Sequence, residues 1–205
     1  MNPISVSLAV EGQLDELVLR RLVSDSGRAF TVRACYGKRG KDHLRQNVPR
    51  FNTAAVHHPF VVLTDLDDED CAPGLVARWL PRGRHANLIL RIAVREVEAW
   101  LLADAERFAE FLGVRRERMP PWPDQAPNPK ELVVALARQS RKRNIREEIV
   151  PSLGSTSKVG KNYVGQLMGF VTDHWRVDAA LQRSPSLARA LHALQQFNPL
   201  LPQNN

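Results

Sequence analysis

The segment LTDLDDED, Leu63 to Asp70, brings Asp65, Asp67, Asp68, Glu69 and Asp70 together with no basic residue among them. Carboxylates crowded in this way repel one another unless a cation neutralises them, and Mg2+ or Mn2+ is the natural partner of an all-oxygen set. Asp65 and Asp67 stand two apart at the end of an apolar run, a spacing that in an extended strand turns both side chains to one side. Glu11 closes another such run and is expected to join them as a third ligand. The plainer alternative is an acidic surface turn, with Glu11-Gly12 an ordinary turn beside it.

The chain around this acidic knot is basic, with a formal net charge of +7. Arg33, Lys38, Arg39, Lys41, Arg45 and Arg50 face Asp42 alone, and Arg138, Arg141, Lys142, Arg143 and Arg146 form a second cluster. Either cluster can be a solvated face. Cations for a polyanion together with carboxylates for a metal are nevertheless what a metal-dependent phosphodiester enzyme requires. Lys38, Arg39 and Lys41, in a glycine-containing loop, and Arg45 after them are the expected phosphate contacts. Lys158 and Lys161 flank Gly160 in a Ser/Gly/Lys stretch expected to be flexible. Lys158 is assigned to nucleic acid and Lys161 to stabilising transition-state charge, against the alternative of plain solvated lysines.

The elements that must hold these residues follow from hydrophobic spacing. Ile4 to Val10 reads as a strand, and Leu14, Leu17, Val18 and Leu22 recur at helical spacing after it. Ala29 to Cys35 alternates as a second strand, with a helix expected at Asp42 to Val48. Pro59 to Asp67 contains the continuous run Val61, Val62, Leu63, as in a strand buried on both faces. A helix over Ala72 to Leu80, a strand over Ala86 to Val94 and one helix up to about Gly113 complete an alternation that predicts parallel βαβ units. In an open sheet of this kind, ligands bind outside the carboxyl ends of the strands, where Glu11 and the Asp65/Asp67 pair are expected. Trp100, Leu101 and Leu102 are read as core. Met119 to Lys130 holds five prolines in twelve residues and reads as an extended connector. Helices are expected beyond it, from Pro129 to about Arg143, Tyr163 to Trp175 and Ser186 to Phe197, before a disordered-looking tail, LPQNN.

Taken in this order, the apolar strand, Glu-Gly, helix and a strand ending in Asp-x-Asp resemble the TOPRIM domain shared by topoisomerases, primases and OLD-type nucleases. VEGQLDELVL, VVLTDLDDED and IAVREVEAWLLAD are similar to small TOPRIM proteins of the DUF4276 type, often discussed as partners of ATPases in bacterial defence, and SPSLARAL extends the likeness to the helical end. The resemblance implies an α/β fold with a Rossmann-like TOPRIM core of about four mainly parallel strands over residues 1–113. A proline-rich connector over 114–130 and a helical extension over 131–205, packed on or near the core, would follow. It implies a Mg2+- or Mn2+-dependent nuclease, with DNA favoured over RNA and an ATPase as partner; self-association is left open.

Residue by residue, Glu11 would be the TOPRIM glutamate and Asp65 and Asp67 its Asp-x-Asp pair. Asp15 occupies the second acidic place of the pattern EGxxE, as aspartate where that pattern has glutamate, with Glu16 adjacent as a substitute. Glu98 in EVEAW corresponds to the helix-borne glutamate after the fourth strand, and Glu96 is the second choice because two positions along a helix turn it away.

Other chemistries fit less well. Tyr36 and Tyr163 are the only tyrosines, and neither lies in a DNA-cleaving domain of adequate size for strand passage. Primase synthesis needs more sites than this length accommodates. GSTSKVGK lacks the P-loop pattern GxxxxGK[ST] and no strand precedes it. His57 and His58 fall at the far end of the third strand and are read as surface residues. Cys35 and Cys71 suggest neither a disulfide framework nor a zinc site. The start MNPISVSLAVEG, which lacks the charged beginning of a signal peptide and reaches a glutamate after a short apolar stretch, and the lack of a long apolar span predict a cytoplasmic protein. A non-catalytic TOPRIM-like module that binds nucleic acid or an ATPase, and a phosphatase acting on small esters, remain alternatives.

Overall fold

A computed structural model describes residues 3–200, so the tail LPQNN lies outside the described residues. The chain resolves into two compact units, one holding the residues up to Ala93 and again from Arg189, the other Val94–Ala188.

The first unit is α/β. Its strands are β1 (Ile4–Val10), β2 (Phe30–Gly37), β3 (Phe60–Asp65) and β4 (Leu88–Ala93), in the order β2-β1-β3-β4 with every pairing parallel. A parallel sheet covered on both faces needs apolar strands, and β3 is buried at every position. The alternating β2 is an edge strand and stays half exposed. Three helices connect the strands: α1 (Gln13–Asp25), α2 (Lys41–Ala54) and α3 (Ala72–Trp79). Leu14, Val18, Leu19 and Leu22 line the buried stripe of α1. The strand order runs from β1 to β2 on one side and from β3 to β4 on the other. A crevice therefore opens outside the carboxyl ends of the adjacent pair β1 and β3.

α2 continues six residues beyond the expected end at Val48, through Pro49. Proline removes one helical hydrogen bond, but burial of Leu44 and Val48 and the packing of Phe51 against Tyr36 and Phe60 hold the last turns.

The second unit is helical, with α4 (Val97–Ala103), α5 (Ala105–Leu112), α6 (Pro129–Arg138), α7 (Arg143–Ile149), α8 (Tyr163–Asp173) and α9 (Val177–Leu181); the unit boundary falls inside α10 (Pro185–Gln195). The helix expected up to about Gly113 is broken in two, and the one expected from Pro129 to about Arg143 ends at Arg138, with a separate helix, α7, beginning at Arg143. Asp104 ends α4 and caps α5 by accepting from the Arg107 amide, and its carboxylate also takes the Arg176 guanidinium at 3.0 Å. Ser140 separates α6 from α7, and the Arg141 amide there bonds the carbonyl of Gly113 at 3.1 Å. The proline-rich stretch carries two short 3-10 turns, Arg116–Arg118 and Pro123–Gln125. Trp100, Leu101 and Leu102 are fully buried, as expected. No helix of the described residues is long and apolar enough to cross a membrane.

Candidate acidic site

β1 and β3 are neighbours running the same way, so the residues at their carboxyl ends arrive together. The Asp65 amide donates to Glu11 Oε1 at 3.0 Å, and the hydroxyl of the fully buried Thr64 donates a short hydrogen bond to the same oxygen. Burial lifts the Glu11 carboxyl above its ordinary range against the pull of these two donors; the Asp15 charge adds to the rise and the Lys41 charge opposes it. Glu11 therefore lies within electrostatic reach of both. Asp15 occupies the first turn of α1 and is buried. A Cβ at Gly12 would stand 2.9 Å from Asp15 Oδ2, so the glycine leaves the room in which that carboxylate sits at the helix start.

β3 ends at Asp65, and the strand pleat that would aim Asp67 parallel to Asp65 ends with it. Asp67 instead turns left-handed, at φ 51°, a conformation aspartate tolerates better than most residues. Its direction is fixed by Lys41, whose ammonium meets Asp67 Oδ2 at 2.7 Å, the Asp65 carbonyl at 2.8 Å and the Leu66 carbonyl at 3.3 Å. Gly37 explains how Lys41 arrives there. It adopts φ 93°, and a Cβ on it would fall 2.1 Å from the Val10 carbonyl oxygen. The loop from Gly37 can thus lie across the end of β1, where the Lys38 amide bonds Val10 O and the Gly40 amide bonds Glu11 O, each at 3.0 Å. Lys41 then opens α2 beside the end of β3.

Lys41, expected to contact phosphate, thus has its ammonium engaged by the acidic loop. Lys38 pairs with Glu16 at 3.0 Å and Arg45 with Asp42 at 3.3 Å, while Arg39 is exposed and has no partner among the described residues. Among the described residues no group of three or more His, Cys, Asp or Glu side chains is arranged to hold a metal ion. The donors at this edge are nonetheless all oxygen, and three of them already surround one positive charge. That chemistry suits a hard cation, and Mg2+ commonly takes one or two carboxylates and completes its shell with substrate phosphate and water.

Glu98 and Lys161 belong to the second unit, as does Lys158. Glu98 sits in the first turn of α4, is 2% exposed, and accepts from the Tyr163 hydroxyl at 3.1 Å. Burial pushes its carboxyl up to about 7; Lys130 opposes the shift and Glu96 adds to it. Glu96 does not turn away from Glu98, because α4 begins only at Val97 and Glu96 is its extended cap residue. Both carboxylates face the Lys130 ammonium, at 3.2 Å and 3.8 Å. Lys158 pairs with Glu131 at 3.4 Å and Lys161 with Glu148 at 3.1 Å. Gly160 between them is pinned, since a Cβ there would lie 2.3 Å from the Glu148 carbonyl oxygen and its amide bonds Ile149 O at 2.8 Å. In the first unit His57 is exposed, and His58 Nε2 lies 3.0 Å from Ser7 Oγ.

Three contributors escaped the sequence reading: Thr64, Tyr163 and Lys130. Thr64 had a signal, a hydroxyl inside an otherwise apolar strand directly before an acid. Tyr163 and Lys130 had none, because their partners lie 65 and 32 residues away in the sequence.

The first unit is a Rossmann-like α/β fold with its acids at the switch point of a four-stranded, all-parallel sheet. No family model matches the chain and no curated protein matches it. Among solved structures, the C-terminal region of the Burkholderia pseudomallei OLD protein is similar over 93% of this chain and 96% of that chain, at 15% identity and a TM-score of 0.48.

Proposed function

We propose that the first unit hydrolyses nucleic-acid phosphodiesters with a divalent cation, Mg2+ or Mn2+, held at the edge formed by Glu11, Asp65 and Asp67. The observation that carries this reading is the oxygen cradle around Lys41 Nζ, a place at the switch point of the sheet where carbonyl and carboxylate oxygens converge on positive charge. When bound, the cation would polarise the phosphodiester and lower the pKa of a water. The chain's own part is to supply oxygens and to balance charge. Thr64 and the Asp65 amide orient Glu11, and Asp15 lies close enough to keep the site electron-rich. The loop that carries Lys38 and the exposed Arg39 lies across the end of β1 and brings positive charge to this edge. Water attacks phosphorus in line, the ester P–O bond breaks, and a phosphomonoester and a hydroxyl result. The ATPase partner and a role in bacterial defence follow from the motif resemblance and are proposed with it.

One observation favours a second reading. Lys41 already neutralises the acidic loop as a structural cation would, and a non-catalytic module that binds nucleic acid or an ATPase needs nothing more. Incubation of the protein with labelled DNA and RNA in Mg2+ or Mn2+, beside Glu11→Gln and Asp65→Asn, separates the two. Cation-dependent cleavage lost in both variants supports the hydrolase. Cleavage that persists in both, or that survives chelation, refutes it, and the absence of cleavage with any cation or partner favours the binding module.

A further inference from the structure

Beside the acidic edge, α2 and α3 enclose a recess of about 560 Å3. Lys41 belongs to both places: it lines the recess and its ammonium reaches the acids. Arg45 projects into the recess from α2 and Arg78 from α3, while Pro49 and Pro81, both exposed, and the edge of Trp79 give it apolar walls. Small-molecule sites fall in the range of roughly 300–1,000 Å3 and combine such walls with a few placed polar groups. Both arginines are paired within the recess, Arg45 with Asp42 and Arg78 with Glu69. Their side chains are 55% and 54% exposed, and exposed pairs of this kind are worth only about 0–1 kcal/mol. A phosphate, which guanidinium can bind through two hydrogen bonds, can displace either acid.

We infer that this recess holds one unpaired nucleotide of the substrate strand, with its base against the proline walls and its flanking phosphates on Arg45 and Arg78, and so selects single strands or frayed ends over intact duplex. The inference rests on the phosphodiester reading and specifies its substrate. The reasoning is steric as well as electrostatic. A base stacked and paired in a duplex has to leave the stack before it can enter a recess of this size, at a cost that an already unpaired base does not bear. Positive charge along the backbone beside a surface on which a base can rest tolerates any sequence, because every base presents a π-face; here the surface is Pro49, Pro81 and the edge of Trp79. The recess also adjoins the acids, because Lys41 lines it and its ammonium meets Asp67 Oδ2 at 2.7 Å.

The test is binding in chelator, which removes turnover from the measurement. Fluorescence anisotropy of a labelled 12-nucleotide strand and of its blunt duplex is followed for the wild type, for Arg45→Ala/Arg78→Ala, and for a control with the same charge loss outside the recess, Arg21→Ala/Arg33→Ala. The wild type is expected to prefer the strand. The recess variant should lose on the order of 10-fold in affinity for it, and its log K against log salt slope should flatten by about 1.4, or 0.7 per lost phosphate contact. Nucleoside monophosphate should compete better than inorganic phosphate at equal concentration. Equal binding of strand and duplex, an equal loss in the control, or equal competition by inorganic phosphate overturns the inference while leaving the hydrolase reading standing. No binding of nucleic acid in either form, in chelator and again with Ca2+ in its place, overturns both.

Discussion

Glu98→Gln isolates the most strongly perturbed carboxyl of the second unit. In the unfolded chain this group titrates near 4.5, whereas burial pushes it up to about 7 against the pull of Lys130 and the Tyr163 hydroxyl. Below pH 4.5 it is protonated in both states and has no effect on pH dependence. As pH rises from 4.5 to 7 the unfolded carboxyl releases its proton while the folded one retains it, so stability falls, and above 7 the loss is complete. At about 1.36 kcal/mol per unit of pH, the gap amounts to about 3 kcal/mol. Glu98 is 2% exposed, so solvent screening does not diminish this figure as it would at the surface. Glutamine keeps the shape and still accepts from Tyr163 but has no proton to lose. Thermal melts of both proteins in chelator from pH 4.5 to 8.5 should coincide at the acid end and then separate. The variant should melt about 6–12 °C above the wild type by pH 8, given a shift of ~2–4 °C per kcal/mol for a chain of this size. Parallel curves, or a variant less stable than the wild type at pH 8, would show that the Glu98 carboxyl is solvated or already ionised and refute the reasoning.

Three other outcomes follow from single contacts. Gly37→Ala places a methyl 2.1 Å from Val10 O in a left-handed backbone, so it should cost about 3 kcal/mol or more in urea unfolding of the first unit, whereas Gly83→Ala, with φ 89° but open space around it, should cost about 1 kcal/mol. Asp104→Ala removes the cap of α5 and the acceptor of the Arg176 amide, and leaves the part-exposed Arg176 guanidinium with Glu106 alone; a loss of about 1–3 kcal/mol in chemical denaturation is expected, with the far-UV spectrum unchanged. Thr64→Val removes a donor from the charged form of Glu11 and should raise that carboxyl further, read by carbon NMR of the labelled carboxyl as a titration moved to higher pH, with an unmoved titration counting against the contact.

The sheet was legible because parallel strands buried on both faces must be continuously apolar, and Val61, Val62 and Leu63 can hardly be read otherwise. Placing Glu11 and Asp65 at one edge followed from topology alone: once both were assigned to carboxyl ends of parallel strands, adjacency brought them into hydrogen-bond range. The helical breaks were less legible, since Asp104 and Ser140 act through partners remote in sequence, Arg176 for the one and the Leu112 carbonyl for the other. At Glu96 the reading failed for a local reason: helical spacing was applied one residue before the helix begins.

Asp67 shows most clearly where sequence reasoning stops. Period-two alternation predicts its direction only while the strand lasts, and β3 stops at Asp65. What aims Asp67 is a lysine 26 residues earlier in the chain, delivered by a loop that exists because Gly37 admits the Val10 carbonyl where any side chain would clash. The acidic edge is therefore not a product of the acidic run alone. Glu11 is set by β1 and by the donors of β3, Asp67 by the β2–α2 loop, and Lys41 couples that loop to the recess between α2 and α3. A change along this chain of contacts at a position that carries no charge, Gly37 above all, should reach the carboxylates through geometry, whereas loss of Lys41 also removes a charge that acts on Glu11.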